Sequence, residues 1–253
     1  MRIFLFMLLA VGHCLAQPPA PHLNAHAHND YVHPRPLRDG LASGFISVEA
    51  DVHLQDGQLL VSHDRPTRDA KTLEQWYLHP LDSMVARNGY VYPGVTFYLM
   101  IDLKTEGEAT YQALKAAFAT HASLLCRQKG CAVKVFVSGE RPLQTMLRDR
   151  QSGLAIDGRP EDVGKGYTVD QMPVISDTFS NWSKWSGQQL PTASDFDRIR
   201  ALAQQVHAEG KKLRLYGIPD HEVAWQALLN AGVDLINTDR LVALNDFLQR
   251  RGL

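Results

Sequence analysis

The sequence predicts an α/β protein, and more specifically a single (β/α)₈ TIM barrel. Strand-like and helix-like segments alternate along the chain, and no internal repeat interrupts them. Such alternation produces a parallel sheet covered by helices. About 235 residues follow the leading segment, a usual length for a one-domain barrel. An open, doubly wound sheet fits the same order of elements. Its usual nucleotide-binding motifs, Gly-x-Gly-x-x-Gly and the P-loop, are both missing from the sequence.

Eight segments are predicted as strands because they are short, apolar or β-branched, and bounded by Gly, Pro or Asp. They are residues 45–54, 59–62, 97–103, 133–138, 153–157, 174–176, 213–218 and 235–237. Five segments carry apolar residues at helical spacing. They are residues 108–127, 141–150, 193–209, 221–231 and 241–249.

The first residues are typical of a secretory signal peptide. A positive start is followed by an uncharged apolar run over residues 3–11 and by the small residue Ala16. We therefore expect cleavage after residue 16, a mature domain of residues 17–253, and a secreted or periplasmic protein. Cys14 raises the alternative of a lipoprotein signal, which the bulky His13 before it disfavours.

Composition narrows the classes of partner. The net charge is −1 and no long basic run occurs, so nothing favours nucleic-acid binding. The apolar leader is too short to span a bilayer, and no later apolar segment is longer, so we expect no transmembrane segment. Transient contact with a membrane surface stays compatible with the sequence. In an oxidising compartment Cys126 and Cys131 would form a disulfide; two free thiols at a helix end are the alternative.

The strand over residues 45–54 carries two carboxylates on one face. Side chains alternate along a strand, so Glu49 and Asp51 project together while their apolar neighbours face the helices. A hard divalent cation relieves the repulsion between such carboxylates. The pair therefore indicates a metal site, with an exposed acidic strand end as the alternative.

Asp102 and Lys104 repeat this geometry on the strand over residues 97–103. Asp102 would be a third carboxylate ligand, and Lys104 a cation suited to a phosphate oxygen. A simple ion pair between the two residues is the alternative.

Two histidines complete the set. His28 and His63 each follow a strand-like run, and each has an aspartate close by in sequence, Asp30 and Asp64, that could orient it. Histidines flanking a phosphate act as general base and general acid because their pKa lies near neutrality. In a parallel barrel such residues meet at the C-terminal ends of the strands.

These motifs resemble the glycerophosphodiester phosphodiesterase family of the phospholipase C-like phosphodiesterase superfamily. The similar stretches are His28-Asn29-Asp30, Glu49-Ala50-Asp51, the Asp-Gly turn before His63-Asp64, Asp102-Leu103-Lys104, and residues 233–239. The resemblance implies a TIM barrel that hydrolyses phosphoric diesters of glycerophosphodiester or phospholipid type. It assigns His28 and His63 as the acid/base pair, and Glu49, Asp51 and Asp102 as ligands of one Mg²⁺ or Ca²⁺. It also implies a cyclic phosphate product when a substrate hydroxyl attacks.

The sequence departs from that family in two places. Asn29-Asp30 stands where Arg-Gly is usual, and Asp102 stands where Glu is usual, as in the sphingomyelinase D branch. Arg214 and Tyr216 alternate inward on a later strand, and Arg214 is a candidate to replace the missing arginine at the phosphate. An arginine capping the barrel rim is the alternative.

Two other functions compete with this interpretation. His26-x-His28 also resembles the opening of amidohydrolase-type and polynuclear phosphoesterase barrels. These need further histidine ligands, but His121 and His207 fall in helical patterns. A barrel that binds without catalysis is the second alternative, although it would have no need of an acid/base pair.

Overall fold

A computed structural model of the chain describes residues 19–125 and 131–253. The proposed signal peptide and Cys126 lie outside these residues. Within them, no helix is long and apolar enough to cross a membrane.

In the part of the chain that the structure describes, nine strands form one sheet, and eight of them close into a parallel barrel. The strands are β1 His22–Ala27, β2 Phe45–Gln55, β3 Gln58–Val61, β4 Phe97–Leu103, β5 Val133–Gly139, β6 Ala155–Gly158, β7 Val174–Thr178, β8 Lys212–Tyr216 and β9 Leu235–Thr238. β1 pairs in parallel with both β2 and β9, so the sheet has no open ends there. This closure confirms the predicted (β/α)₈ barrel and excludes the open doubly wound sheet. β3 is an antiparallel hairpin partner of β2.

Seven α-helices in residues 19–125 and 131–253 surround the barrel. They are α1 Arg38–Ala42, α2 His79–Asn88, α3 Gly107–Ala119, α4 Leu143–Arg148, α5 Asp197–Ala208, α6 Glu222–Asn230 and α7 Leu241–Gln249. The carboxylate of Glu106 accepts hydrogen bonds from the backbone N–H groups of Glu108 and Ala109, which fixes the start of α3. A π-helical turn, Glu74–Leu78, leads into α2.

The helix predicted over residues 108–127 is shorter than expected. α3 stops at Ala119, and a 3₁₀ turn, Ala122–Leu124, follows after His121. Cys131 is disulfide-bonded, so it is not a free thiol. Its pairing with Cys126 stays a prediction, because Cys126 lies outside the described residues.

The core has two layers, and the division follows the side-chain alternation of the strands. Val48, Ala50 and Val52 are fully buried between β2 and the helices, as their alternation predicts. Their neighbours Glu49 and Asp51 point to the barrel interior. The parallel register pairs Asp51 with Asp102, so the third carboxylate lies beside the first two at the C-terminal end of the barrel.

Candidate active site

Three carboxylates converge at the C-terminal mouth of the barrel. One oxygen from each of Glu49, Asp51 and Asp102 lies within 4.8 Å of the others. This is the only such group of three or more acidic, histidine or cysteine ligands in the part of the chain that the structure describes. The separation suits a single ion with oxygen ligands at about 2.0–2.6 Å. The side chains predicted as metal ligands are therefore brought together.

Asp51 has one oxygen in a dense hydrogen-bond network and one with no partner. Its Oδ2 accepts from the Tyr31 hydroxyl at 2.8 Å and the His63 Nδ1 at 2.9 Å, and lies 3.1 Å from the Lys104 Nζ. Its Oδ1 is buried and no described atom bonds it, although the residue is 0% exposed. A buried carboxylate oxygen rarely stays unpaired. A divalent cation between the three carboxylates would supply the missing partner, so the residues present fit such an ion.

Asp102 lies close to the other two acids and is mostly buried, with a side chain that is 16% exposed. Burial raises its pKa to about 6; Lys104, at 3.2 Å, opposes the shift, while Glu49 and Asp51 add to it. Three neighbouring carboxylates without a cation are thus electrostatically unfavourable. The predicted ion pair between Asp102 and Lys104 also forms, alongside the metal-site geometry rather than in place of it.

Glu49 is held in the barrel interior by two basic side chains. The Arg214 guanidinium donates to Glu49 Oε2 at 2.9 Å, and His26 Nε2 lies 3.4 Å from the same oxygen. Burial alone would raise the pKa of Glu49, but Arg214 and His26 outweigh it and hold the pKa below its usual range. Glu49 is therefore ionised, as a metal ligand must be.

The two histidines predicted as an acid/base pair lie at the mouth, and each is oriented by a carboxylate. His63 Nδ1 bonds Asp51 at 2.9 Å, and His28 Nδ1 bonds Asp239 at 2.8 Å. In each ring the other nitrogen, Nε2, is left for a substrate. The side chains are 62% and 31% exposed, so both are accessible.

The sequence neighbours expected to orient these histidines do not do so. Asp30 turns away and accepts from the Leu37 backbone N–H at 2.5 Å and the Tyr77 hydroxyl at 2.8 Å. Asp64 forms no hydrogen bond with His63. At the end of a strand, successive side chains point in different directions, so adjacency in sequence does not give proximity of side chains.

Arg214 and Tyr216 face the barrel interior from β8, as their alternation predicts. Arg214 is only 2% exposed and bonds Glu49 and Asn237 Oδ1, the latter at 2.9 Å; its guanidinium stacks 5.6 Å from the Tyr216 ring. Arg214 thus sits beneath the carboxylates and positions Glu49. A direct contact of Arg214 or Tyr216 with a phosphate stays a prediction.

His26 does not act as a ligand in this arrangement. Burial, assisted by Arg214, lowers its pKa to about 4, so its ring is neutral. Its Nδ1 bonds the Ser47 hydroxyl at 2.7 Å, which leaves Nε2–H to donate to Glu49. His207 lies in α5 and bonds Asp234, away from the mouth. The amidohydrolase-type alternative therefore gains no support from the described histidines.

Several residues of the site were not anticipated from the sequence. Tyr31 supports Asp51, Asp239 supports His28, and Asp157 on β6 anchors Arg159 at 2.7 Å. Strand alternation could have indicated Asp157 and Asp239, since each lies at the end of a parallel strand. Nothing local indicated Tyr31, because its contact crosses 20 residues.

Comparison with known proteins supports a phosphodiesterase-type fold. Residues 20–130 match the model of the AIM6-like phosphodiesterase domain. This stretch contains β1 to β4 and all of the residues predicted to bind metal or transfer protons.

Similarity to individual proteins extends further along the chain. "Altered inheritance of mitochondria protein 6" of Eremothecium gossypii is 27% identical over 88% of this chain and 68% of its own length. The homologue of that protein in Arthroderma benhamiae is 24% identical over 88% of this chain and 82% of its own length. A shorter match in Candida glabrata is 32% identical over 39% of this chain and 32% of that protein. These names state no activity or substrate.

Proposed function

We propose that this chain is a metal-dependent phosphoric diester hydrolase that acts on a glycerophosphodiester or phospholipid-type substrate. The observation that carries the proposal is the buried Oδ1 of Asp51, which has no hydrogen-bond partner although Asp51 converges with Glu49 and Asp102. His28 and His63 lie at the same mouth, and each uses Nδ1 for a carboxylate and leaves Nε2 for a substrate. The match to a phosphodiesterase domain model supports the same class of reaction.

Glu49, Asp51 and Asp102 would hold one Mg²⁺ or Ca²⁺. When bound, the ion supplies Lewis-acid neutralisation of a non-bridging phosphate oxygen. Lys104 binds a second phosphate oxygen from the neighbouring strand. Burial lowers the pKa of Lys104, but Asp102 and Asp51 outweigh it and raise the pKa, so the side chain stays charged. This fixed cation favours the transition state as negative charge shifts onto the oxygens it contacts.

His28 and His63 move the protons. Each ring donates Nδ1–H to its carboxylate, so its chemistry takes place at Nε2. In the neutral ring Nε2 carries a lone pair that accepts a proton, and in the protonated ring it carries the proton that is transferred. One Nε2 removes the proton from the attacking hydroxyl, and the other returns a proton to the departing alkoxide. The nucleophile is water or, by resemblance to the glycerophosphodiester phosphodiesterases, a neighbouring hydroxyl of the substrate that yields a cyclic phosphate.

A screen of phosphodiesters in the presence of Mg²⁺ or Ca²⁺, read by phosphorus NMR, tests the proposal. It reports the leaving group and any cyclic phosphate in one spectrum. The His28→Ala variant is the control for contaminating activity. Metal binding without turnover of any diester would favour the non-catalytic binding barrel instead.

A further inference from the structure

Two arginines at the barrel mouth are not used by the proposed chemistry. Arg159 follows β6, and Arg141 lies in the loop between β5 and α4. The two guanidinium groups are close enough to affect each other: burial lowers the pKa of Arg141 and the charge of Arg159 lowers it further, while Asp157, Asp162 and Glu161 partly oppose the shift. Like charges at close range are unfavourable unless an anion lies between or beside them.

Arg159 is held in place by a buried acid. Asp157 is fully buried and accepts from the hydroxyls of Ser138 and Ser176 at 2.7 and 2.6 Å and from Arg159 at 2.7 Å. Arg159 also donates to the Ser138 hydroxyl at 3.2 Å. Its guanidinium is thus fixed in one orientation by neighbours on β5, β6 and β7.

Arg141 has no acid in direct contact with it in the described residues. No side chain in the described residues forms an ion pair with it within 4 Å, and its Nε is buried without a hydrogen-bond partner. The nearby Asp162 is already bonded to Lys165 at 3.2 Å. A buried donor without an acceptor is unfavourable, and a bound anion would satisfy it.

The loop that carries Arg141 is firmly packed. Gly107, the first residue of α3, lies so close to the Glu140 carbonyl that a Cβ there would overlap it. The backbone that carries Arg141 is therefore held in place before any ligand binds. Such pre-positioned charges bind an anion without the cost of ordering a loop.

We propose that Arg141 and Arg159 form a second anion subsite, which selects diesters that carry another anionic group near the scissile phosphate. This inference rests on the proposed phosphodiesterase function. Asp102 lies on β4 and Lys104 directly follows it, with β5 and β6 next in the barrel. Two inter-strand spacings amount to about 10 Å. That distance suits a carboxylate or phosphate-type group two or three carbons from the scissile phosphorus.

The test uses three glycerophosphodiesters that differ only in the second alcohol: n-propanol, 3-hydroxypropanoate and 2-hydroxyethylphosphonate. With the metal-loaded full chain, we expect kcat/KM for an anionic diester to exceed that for the propyl diester by about 10–100-fold, the usual gain from a charge-assisted hydrogen bond. The better of the two anionic diesters identifies a carboxylate or a phosphate-type ligand. The preference should weaken with rising salt.

Arg141→Gln should bring the ratio of kcat/KM for the anionic and propyl diesters close to one, and Arg141→Lys should retain part of the preference. Arg150→Gln is the matched control, because Arg150 is exposed and lies beyond α4. Equal kcat/KM for all three diesters in the wild-type protein would overturn the subsite.

A binding measurement separates this inference from the proposed function. Calorimetry compares 3-phosphonopropanoate with propylphosphonate, which differ only in a carboxylate for a methyl group. Tighter binding of 3-phosphonopropanoate than of propylphosphonate, if Arg141→Gln abolishes the difference, supports the subsite. This holds even if no diester is hydrolysed, in which case only the proposed phosphodiesterase function is refuted. Turnover without any preference, and equal binding of the two probes, leaves the function intact and refutes the subsite.

Discussion

At the scale of single residues, the site is organised around Asp51. Three donors, from Tyr31, His63 and Lys104, converge on one of its oxygens and leave the other unpaired. The carboxylate is thereby fixed within 4.8 Å of an oxygen of Glu49 and of Asp102. The same residue links the candidate metal site to one candidate acid/base group, so changes at Asp51 should affect both.

The two histidines should each be essential and should have separable roles. We expect His28→Ala and His63→Ala to lose about 10²–10⁴-fold in kcat on an alkyl diester, the usual contribution of general acid–base catalysis. On a diester with a p-nitrophenolate leaving group, which needs no protonation, the variant without the general acid should recover much of its rate. Steady-state kinetics on both substrates assign the roles. Near wild-type rates for both variants on the alkyl diester would contradict the two-histidine mechanism.

Asp30 gives a prediction about stability and pH. Burial raises its pKa from 3.8 to about 6, partly opposed by hydrogen bonds from Leu37 and Tyr77. The folded state therefore holds the proton more tightly than the unfolded chain. Stability from this group is present at low pH and is lost as the pH rises from about 4 to about 6.

The Asp30→Asn variant removes this titration and keeps an acceptor for both hydrogen bonds. Relative to wild type, its free energy of unfolding should rise by about 3 kcal/mol between pH 4 and pH 7, the equivalent of the shift in pKa. Denaturant unfolding at several pH values measures the difference. A difference between the two proteins that does not change with pH would show that Asp30 is not responsible.

At the scale of elements, strand alternation and register determine the site. Alternation on β2 and β4 was sufficient to predict the shared face of Glu49 and Asp51 and the matching position of Asp102. The eight predicted strand segments did not include β1, His22–Ala27, although His28 was recognised as following a strand-like run. The π-helical turn and α2 were not among the predicted helical segments either, although Tyr77, Leu78, Leu81 and Val85 recur at helical spacing.

Side-chain partners were less predictable than strands. The pairing of His28 with Asp239 joins the first and last barrel strands, 211 residues apart. Only the closure of the barrel brings these ends together. Local patterns favoured the neighbours Asp30 and Asp64 instead, and for that reason the sequence-based assignment of the orienting acids was wrong.

The end of β5 supports the candidate metal site from the next strand. Gly139 has a φ of +68°, and a Cβ there would overlap Asp102 Oδ1 and the Leu103 carbonyl. We expect Gly139→Ala to displace Asp102 and weaken Mg²⁺ binding by at least about 10-fold, because the ion loses a ligand position. Calorimetric titration with Mg²⁺ measures this.

The matched control is Gly166→Ala. Gly166 also has a positive φ, +79°, but nothing lies within 4 Å of its added Cβ. It should lose about 1–2 kcal/mol of stability from the left-handed backbone and bind metal as wild type does. Equal metal affinity in the two variants would show that Gly139 does not position Asp102.

At the scale of the whole molecule, the two halves of the barrel contribute different parts of the site. Residues 20–130, which match the phosphodiesterase domain model, carry the three carboxylates, both histidines and Lys104. The second half supplies Arg214, Asp239 and the Arg141–Arg159 pair. The residues proposed for metal binding and proton transfer therefore lie in the first half, and the arginines proposed for the second anion subsite lie in the second half.

The leading segment and the cysteines give a prediction for the exported protein. If residues 1–16 are a signal peptide, the mature chain begins at Gln17 and Cys126 is oxidised with Cys131. Intact-mass measurement of protein from the culture medium or periplasm, before and after alkylation without reductant, should show this start and no added alkyl groups. A chain that retains Met1, or that takes up two alkyl groups, would contradict the prediction.

Metal dependence is the property on which the proposed function most depends. Chelation should abolish activity, and Mg²⁺ or Ca²⁺ should restore it, because Lys104 and Arg214 alone cannot balance three carboxylates and a phosphodiester. The ion should also stabilise the whole barrel, since it binds only the folded state: at 100 times its Kd, the gain is about 2.7 kcal/mol. Thermal unfolding with and without metal measures this gain, and Asp51→Asn should lose it while keeping a side chain of the same shape. Full activity after exhaustive EDTA treatment, with no change in Tm on adding Mg²⁺ or Ca²⁺, would show that the carboxylates serve another purpose.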